Sequence, residues 1–292
     1  MMTGRDSKTP FLHDPRKLGR CLLNRSNRWW VATTVAKIGS VVFGALSVIL
    51  FPTFRITAVL LFILYLASEL FAWRSDSFKA SAQSVLRKLD YLDSFGWPIT
   101  REEMSDLVIA CPKRLRRTIP PPGADYYFSS TEHAGKERAL ENLQESSWWS
   151  KHLAKRMGHI TSAIAAIIVG GSILVLLVSI GSISNLDTLS SIARVVTSAF
   201  MLVLSLGLFR LTVGYYSFSK KAEQAEKESI KLLDSDSKEL EAVKAWQEYH
   251  VARAAAPPLP SSLWRWLNKD LNEAWEAYRT RQAAHPTAPN RQ

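Results

Sequence analysis

Residues 29–73 hold two apolar runs, 31–50 and 56–73, joined by the short stretch Phe51-Pro-Thr-Phe-Arg55. The first run contains one ionisable side chain, Lys37, and the second contains one, Glu69. A helix rises about 1.5 Å per residue, so about 20 apolar residues match a hydrocarbon core of about 30 Å. Neither run shows the polar face, recurring every third or fourth position, that a surface helix of a soluble protein requires. Each run is therefore expected to span a membrane, and the join leaves no room for a domain on its side. A very apolar soluble helical hairpin is the alternative. It loses ground once a second pair of runs, 160–180 and 192–213, is counted.

The apolar fraction of 47% is ordinary, but its concentration in two blocks is that of a polytopic membrane protein. The formal charge of +11 is uneven as well: seven Lys and Arg side chains precede the first run against Asp6 and Asp14. Basic residues directly ahead of a span read as the positive-inside signal, with some attraction to anionic lipid, before they read as a nucleic-acid surface. The lipid bilayer is thus the expected partner, and no DNA or RNA is expected. Residues 185–190 contain no Lys or Arg, whereas the stretch between the blocks and the tail contain many. Both termini and the insert are then cytosolic, with two short turns outside. Cys21 and Cys111 fall on the cytosolic side, where no disulfide is expected, and they have no metal-ligand spacing. The first run begins too late and runs too long for a cleaved signal.

The expected order is a basic segment 1–28, disordered at its start; hairpin 29–73; a helical insert 74–158; hairpin 159–215; an extended helix 216–256; an amphipathic helix 261–283; and a disordered end, 284–292. Within the insert, Phe78, Ala82, Val85, Leu86, Leu89 and Leu92 repeat with helical spacing. Gly96-Trp97-Pro98 stops that helix, and Thr100-Arg-Glu-Glu103 is a capping box that starts the next. In the tail, Phe218, Ala222, Ala225, Ile230, Leu233, Leu240, Val243 and Trp246 form an approximately heptad seam, to be buried against the insert or another subunit. Trp264, Trp266 and Trp275 give the last helix a face that docks on protein or lies at the membrane interface. The fold class is all-α: a polytopic membrane protein with two transmembrane hairpins and a cytosolic helical domain made by the insert and the tail.

Small residues recur every four positions in the first span (Ala36, Ser40, Gly44) and in the third (Ser162, Ala166, Gly170), as close helix packing and a homo-oligomer require. Charges inside spans are expensive, which singles out Lys37, Glu69 and Arg210. Glu69 pairs with Arg210 or Lys37, or else the long cations snorkel and Glu69 is wet at the interface. No span carries the repeated arginines of a voltage sensor or the broken helix of a transporter site. Lys113, Arg114, Arg116 and Arg117, beside Tyr126 and Tyr127, could grip a phosphate and stack on a base. The same cluster also reads as a solvated or lipid-facing basic patch. No motif for catalysis, cofactor binding or metal binding is present, so the chain is not expected to be an enzyme.

Leu89-Asp-Tyr-Leu-Asp93 with Gly96-Trp97, then Asp125-Tyr-Tyr127, then Asn142-Leu-Gln-Glu-Ser-Ser-Trp-Trp-Ser-Lys-His-Leu153, stand in this order around two pairs of spans. In architecture and in these loose motifs the chain resembles the SMODS-associated four-transmembrane effector family of bacterial anti-phage systems. It departs from the family pattern at Glu145-Ser-Ser-Trp148, where an Arg-x-Asn element is expected. The resemblance implies a pore-forming effector that permeabilises the bacterial inner membrane in response to a cyclic oligonucleotide second messenger or a similar infection cue. A non-conducting membrane scaffold or sensor that dimerises through its cytosolic helices is the alternative.

Overall fold

The computed structural model describes residues 14–50, 56–113, 128–182 and 186–284, and among these all regular structure is helical. Eight helices follow one another: α1 (Pro15–Leu50), α2 (Ile56–Phe95), α3 (Arg101–Ala110), α4 (Lys136–Ser182), α5 (Leu186–Ser205), α6 (Leu208–Leu233), α7 (Glu239–Ala255) and α8 (Ser261–Ala284). Ala284, expected to begin a disordered end, closes α8 instead; the rest of that end and residues 1–13 of the basic segment lie outside the described residues.

The first hairpin is made by α1 and α2, which pack along one another. Asp14 starts α1: its carboxylate accepts from the backbone N–H groups of Arg16 (2.9 Å) and Lys17 (3.3 Å), and Pro15 fills the first helical position. Residues 15–28, expected to be separate from the span, thus belong to the same helix. α2 likewise runs unbroken from its apolar half into the insert and stops at Gly96, whose φ is +73°. At about 1.5 Å per residue these helices are about 55 and 60 Å long, and α4 about 70 Å. The expected boundaries at 73/74 and 158/159 therefore fall inside continuous helices. Trp73 and Arg74 do not disfavour the helix, and Gly158, which does, is held within it where Tyr216 packs 3.1 Å from a built Cβ.

Two expectations are corrected. The run 192–213 is not one helix: α5 ends at Ser205, and Gly207, left-handed at φ +62°, starts α6. The apolar run is therefore broken, at the position where Gly releases the backbone from the right-handed helix. Residues 216–256 are not one extended helix either. Asp234-Ser-Asp-Ser237 separates α6 from α7, and the hydroxyls of Ser235 and Ser237 donate to the Leu232 carbonyl at 3.3 and 2.9 Å. Such short polar side chains compete for backbone groups and favour a turn over a helix interior. α7 folds back along α6.

Most of the heptad seam is consequently consumed inside the protomer, whereas Leu240 of the seam is 74% exposed. Phe218, Ala222, Leu232 and Trp246 are buried with Ala139, Leu140, Leu143 and Ala154 of α4, and with Phe95 and Phe128. Trp246 Nε1 donates to the Ala139 carbonyl at 2.7 Å, and Tyr249 Oη donates to the Ser146 carbonyl at 3.0 Å. A second core joins Leu18 and Leu22 of α1 to Ala82, Val85 and Leu89 of α2, with Cys111 buried against them and Cys21 half-buried beside it; neither cysteine is in a disulfide. The capping box of α3 is formed: Glu103 N–H donates to Thr100 Oγ1 and Thr100 N–H to Glu103 Oε2, each at 3.1 Å. The α8 face docks on α4 through Trp275, tilted against Trp148 with ring centroids 5.2 Å apart, and through Tyr278, whose hydroxyl accepts from Gln144 at 3.1 Å.

Burial reverses along each long helix. Toward the cores just described, apolar side chains are covered. Farther along α1, α2, α4, α5 and α6 large apolar residues stand open, among them Val35, Phe62, Ile167, Leu204 and Val213. Among the described residues, one stretch, Lys136–Ile180, is long and apolar enough by length and composition to cross a membrane, and its apolar window is only 11% buried.

Candidate functional site

Among the ion pairs of the described residues, two groupings stand out. In the apolar half of the first hairpin, Lys37 Nζ lies 3.3 Å from Glu69 Oε1. Lys37 sits one and a half turns past Val31 on α1, and Glu69 one turn before Trp73 on α2, so antiparallel helices bring them to one level. The pair neutralises two charges that would each be costly in hydrocarbon. Arg210 is exposed on α6, three residues beyond the break at Gly207, and no carboxylate pairs with it among the described residues.

The second grouping lies where α2 meets α7. A cleft of about 360 Å³ is lined by Lys79, Gln83, Ser84 and Arg87 of α2, with Asp76 at its edge, and by His250 of α7. Behind it, Asp90 is almost fully buried, with its Oδ2 atom 3.3 Å from Arg253 Nη1 and 3.9 Å from His250 Nε2. Asp93, one turn on, holds Arg16 of α1. The packing dictates the electrostatics. Burial drives the Asp90 carboxyl up to about 7, against the pull of Arg253, and the neighbouring Asp93 adds to the rise. Burial drives the His250 imidazole down to about 3, with Arg253 and Arg87 adding to the fall. His250 is therefore neutral near pH 7, stacked on Trp246 at 5.0 Å, and its Nε2 has no hydrogen-bond partner among the described residues. Burial also lowers the Lys79 ammonium, which donates to the Ala254 carbonyl at 2.8 Å and to that of Ala256, so it caps the end of α7. Chemically, this arrangement can hold or release a proton between α2 and α7 while α1 is fastened to the same turn of α2.

The other predicted residues distribute as follows. Lys113 is exposed just after α3; Arg114, Arg116, Arg117, Tyr126 and Tyr127 lie outside the described residues. Ala36, Ser40 and Gly44 are half-buried, and a Cβ at Gly44 would stand 3.7 Å from Leu61 of α2. On α4, Ser162 is half-buried, Ala166 and Gly170 are exposed, and nothing lies within 4 Å of a Cβ at Gly170. The first small-residue face is thus used within the hairpin, and the second is open. Asp90, His250 and Arg253 were not foreseen as a cluster. A signal did exist, since Asp90 lies one turn from both Leu86 and Ser94, which are buried. The contact with α7, 160 residues away, leaves no local trace. No protein-family model, curated protein or solved structure matches the chain.

Proposed function

We propose that this chain is a four-span membrane protein, both termini cytosolic, that oligomerises and permeabilises the bacterial inner membrane in response to an infection cue. The observation that carries the membrane part is the reversal of burial along α1, α2 and α4. Each helix buries its apolar residues at one end and exposes them at the other, with Val35 at 63%, Phe62 at 61% and Ile167 at 73%. A water-soluble helix leaves such residues uncovered singly, not along two hairpins; hydrocarbon is the solvent that suits them. Oligomerisation is supported by the open Ser162, Ala166 and Gly170 face of α4, where a second backbone can approach closely. Four spans in one protomer enclose no sizeable aqueous path, so permeation requires several protomers. The infection cue and the bacterial membrane rest on the motif resemblance around Asp90 and Asn142. A scaffold dimerising through the tail is the weaker reading, because Phe218, Ala222 and Trp246 of the seam are buried within one protomer.

The test is dye entry and depolarisation in bacterial cells that express the chain, with and without phage infection, beside Gly170→Leu produced at equal level. Leakage that the substitution suppresses is expected. Sealed membranes under both conditions, with the protein present in the membrane fraction, would reject permeation.

A further inference from the structure

Three arginines lie over tryptophan rings, and all three pairs sit at the level where the polar ends of the hairpins give way to the apolar ones. Arg25 is 5.5 Å from the ring of Trp29 on α1, Arg74 is 5.4 Å from that of Trp73 on α2, and Arg156 of α4 is 5.3 Å from that of Trp266 on α8. The first two pairs belong to the spans themselves. The third does not, because α8 is a cytosolic helix.

Its level is fixed by the chain that leads into it. Residues 257–260 cross beneath both hairpins: Asn27 Nδ2 donates to the Leu259 carbonyl at 3.2 Å, and Tyr215 Oη donates to the Pro258 carbonyl at 2.6 Å. Asn27 is two residues before Trp29, about 3 Å along the helix axis. The next turn buries Leu263 against Met157 and Tyr215 at the foot of the third and fourth apolar runs. From there α8 descends along α4, away from the apolar halves, to the Trp148–Trp275 contact. Only its first turn stands at the boundary, and there Trp264 and Trp266 are 50% and 62% exposed.

We infer that the first turn of α8, with Arg156, is a phospholipid-headgroup binding surface that completes an Arg–Trp collar begun by α1 and α2. This rests on the membrane reading above. Indole rings settle where hydrocarbon meets headgroups, and a guanidinium held over the ring stays at the same depth, where lipid phosphates accept its N–H groups. The occupant is lipid and not a second copy of the chain because the surface continues the exposed apolar faces of α2 and α4 and carries the cationic charge that the cytosolic leaflet attracts. The tail is thereby tied to the bilayer at a point no span supplies.

The full-length protein is placed in phosphatidylcholine and phosphatidylcholine/phosphatidylglycerol nanodiscs containing lipid brominated near the glycerol end, and tryptophan emission is compared between parent and W264F/W266F. The parent should lose emission to brominated lipid, the double variant should lose a smaller share, and its melting temperature should be unchanged. Arg156→Gln should reduce the parent's extra quenching in discs that contain phosphatidylglycerol. If the lipid-quenched share is the same in both proteins and aqueous iodide instead quenches the parent more, the two rings face water and the inference is overturned while the spans stand. Shielding from both quenchers assigns the surface to another copy and overturns it equally. Emission that brominated lipid never reaches, in either protein, would remove the membrane reading itself.

Discussion

Asp90 and His250 sit within 4 Å of each other, and burial moves them in opposite senses. In the unfolded chain Asp90 ionises near 3.8 and in the folded protein near 7. Between those values the folded state keeps a proton that the unfolded state has lost, so this group's contribution to stability falls as pH rises. The unfolded His250 binds a proton below 6.5, whereas the folded imidazole stays neutral down to about 3, so its contribution grows with pH over that window. Each slope is at most about 1.4 kcal/mol per pH unit, and from about pH 4 to pH 6.5 they oppose one another. Asp90→Asn removes only the falling slope. Its stability relative to the parent should therefore climb with pH across that interval, read as a widening shift in melting temperature of the detergent-solubilised protein. A constant offset would mean that Asp90 ionises as it does in the unfolded chain.

At the level of elements, the break before α6 depends on one backbone conformation. Gly207 has φ +62° and nothing within 4 Å of a built Cβ, so a methyl group there meets no steric obstacle, only the left-handed penalty. That penalty is about 1–2 kcal/mol for an L-residue. Gly207→Ala should lower the melting temperature, while Gly39→Ala, in equally open space but at a helical position of α1, should leave it unchanged or raise it. Equal shifts for the two would show that the break does not depend on glycine. The helices were largely legible because their periodicity, the Thr100 capping box and the stop at Gly96 are local signals. The break at Gly207 was not, since a lone glycine among apolar residues reads as helix just as easily as a kink. Nor was the fold-back at residues 234–238, because the seam is compatible with both a straight helix and two helices sharing one core. The sequence leaves two partners open for Glu69, and only the register of α1 against α2 distinguishes Lys37 from Arg210.

Across the whole molecule, the two hairpins are separate stretches of chain that the tail stitches together. Beyond the packing of α1 on α5 and of α2 on α4, the place of Phe95 in the α4–α6–α7 core and the Asp90–Arg253 pair, the tail adds three hydrogen-bonded stitches. Asn27 donates to Leu259, Lys79 to the carbonyls that end α7, and Tyr215 to Pro258. Gly214 makes room for them, because a Cβ there would stand 2.8 Å from Pro257 Cγ. A neutral hydrogen bond contributes about 1 kcal/mol net and a charged one about 1.5–3. Asn27→Ala and Lys79→Met remove the two that cross from the first hairpin to the tail, and Tyr215→Phe loosens the tail from α6; together they should weaken the union of the hairpins by about 3 kcal/mol, more than a hundredfold in the equilibrium. A protease site introduced between residues 113 and 128 makes this measurable. After cleavage of the purified protein, a tag on the first fragment should retain the second through a rising detergent series. The triple variant should release it at a lower detergent concentration, and Gly214→Val should do the same by displacing Pro257. If the fragments part at the same concentration in all three proteins, helix packing alone unites the hairpins. Motion of the tail then reaches the exposed apolar halves of the hairpins through α4 and α6, which are continuous with them, and through the Asp90–Arg253 contact of α7 with α2.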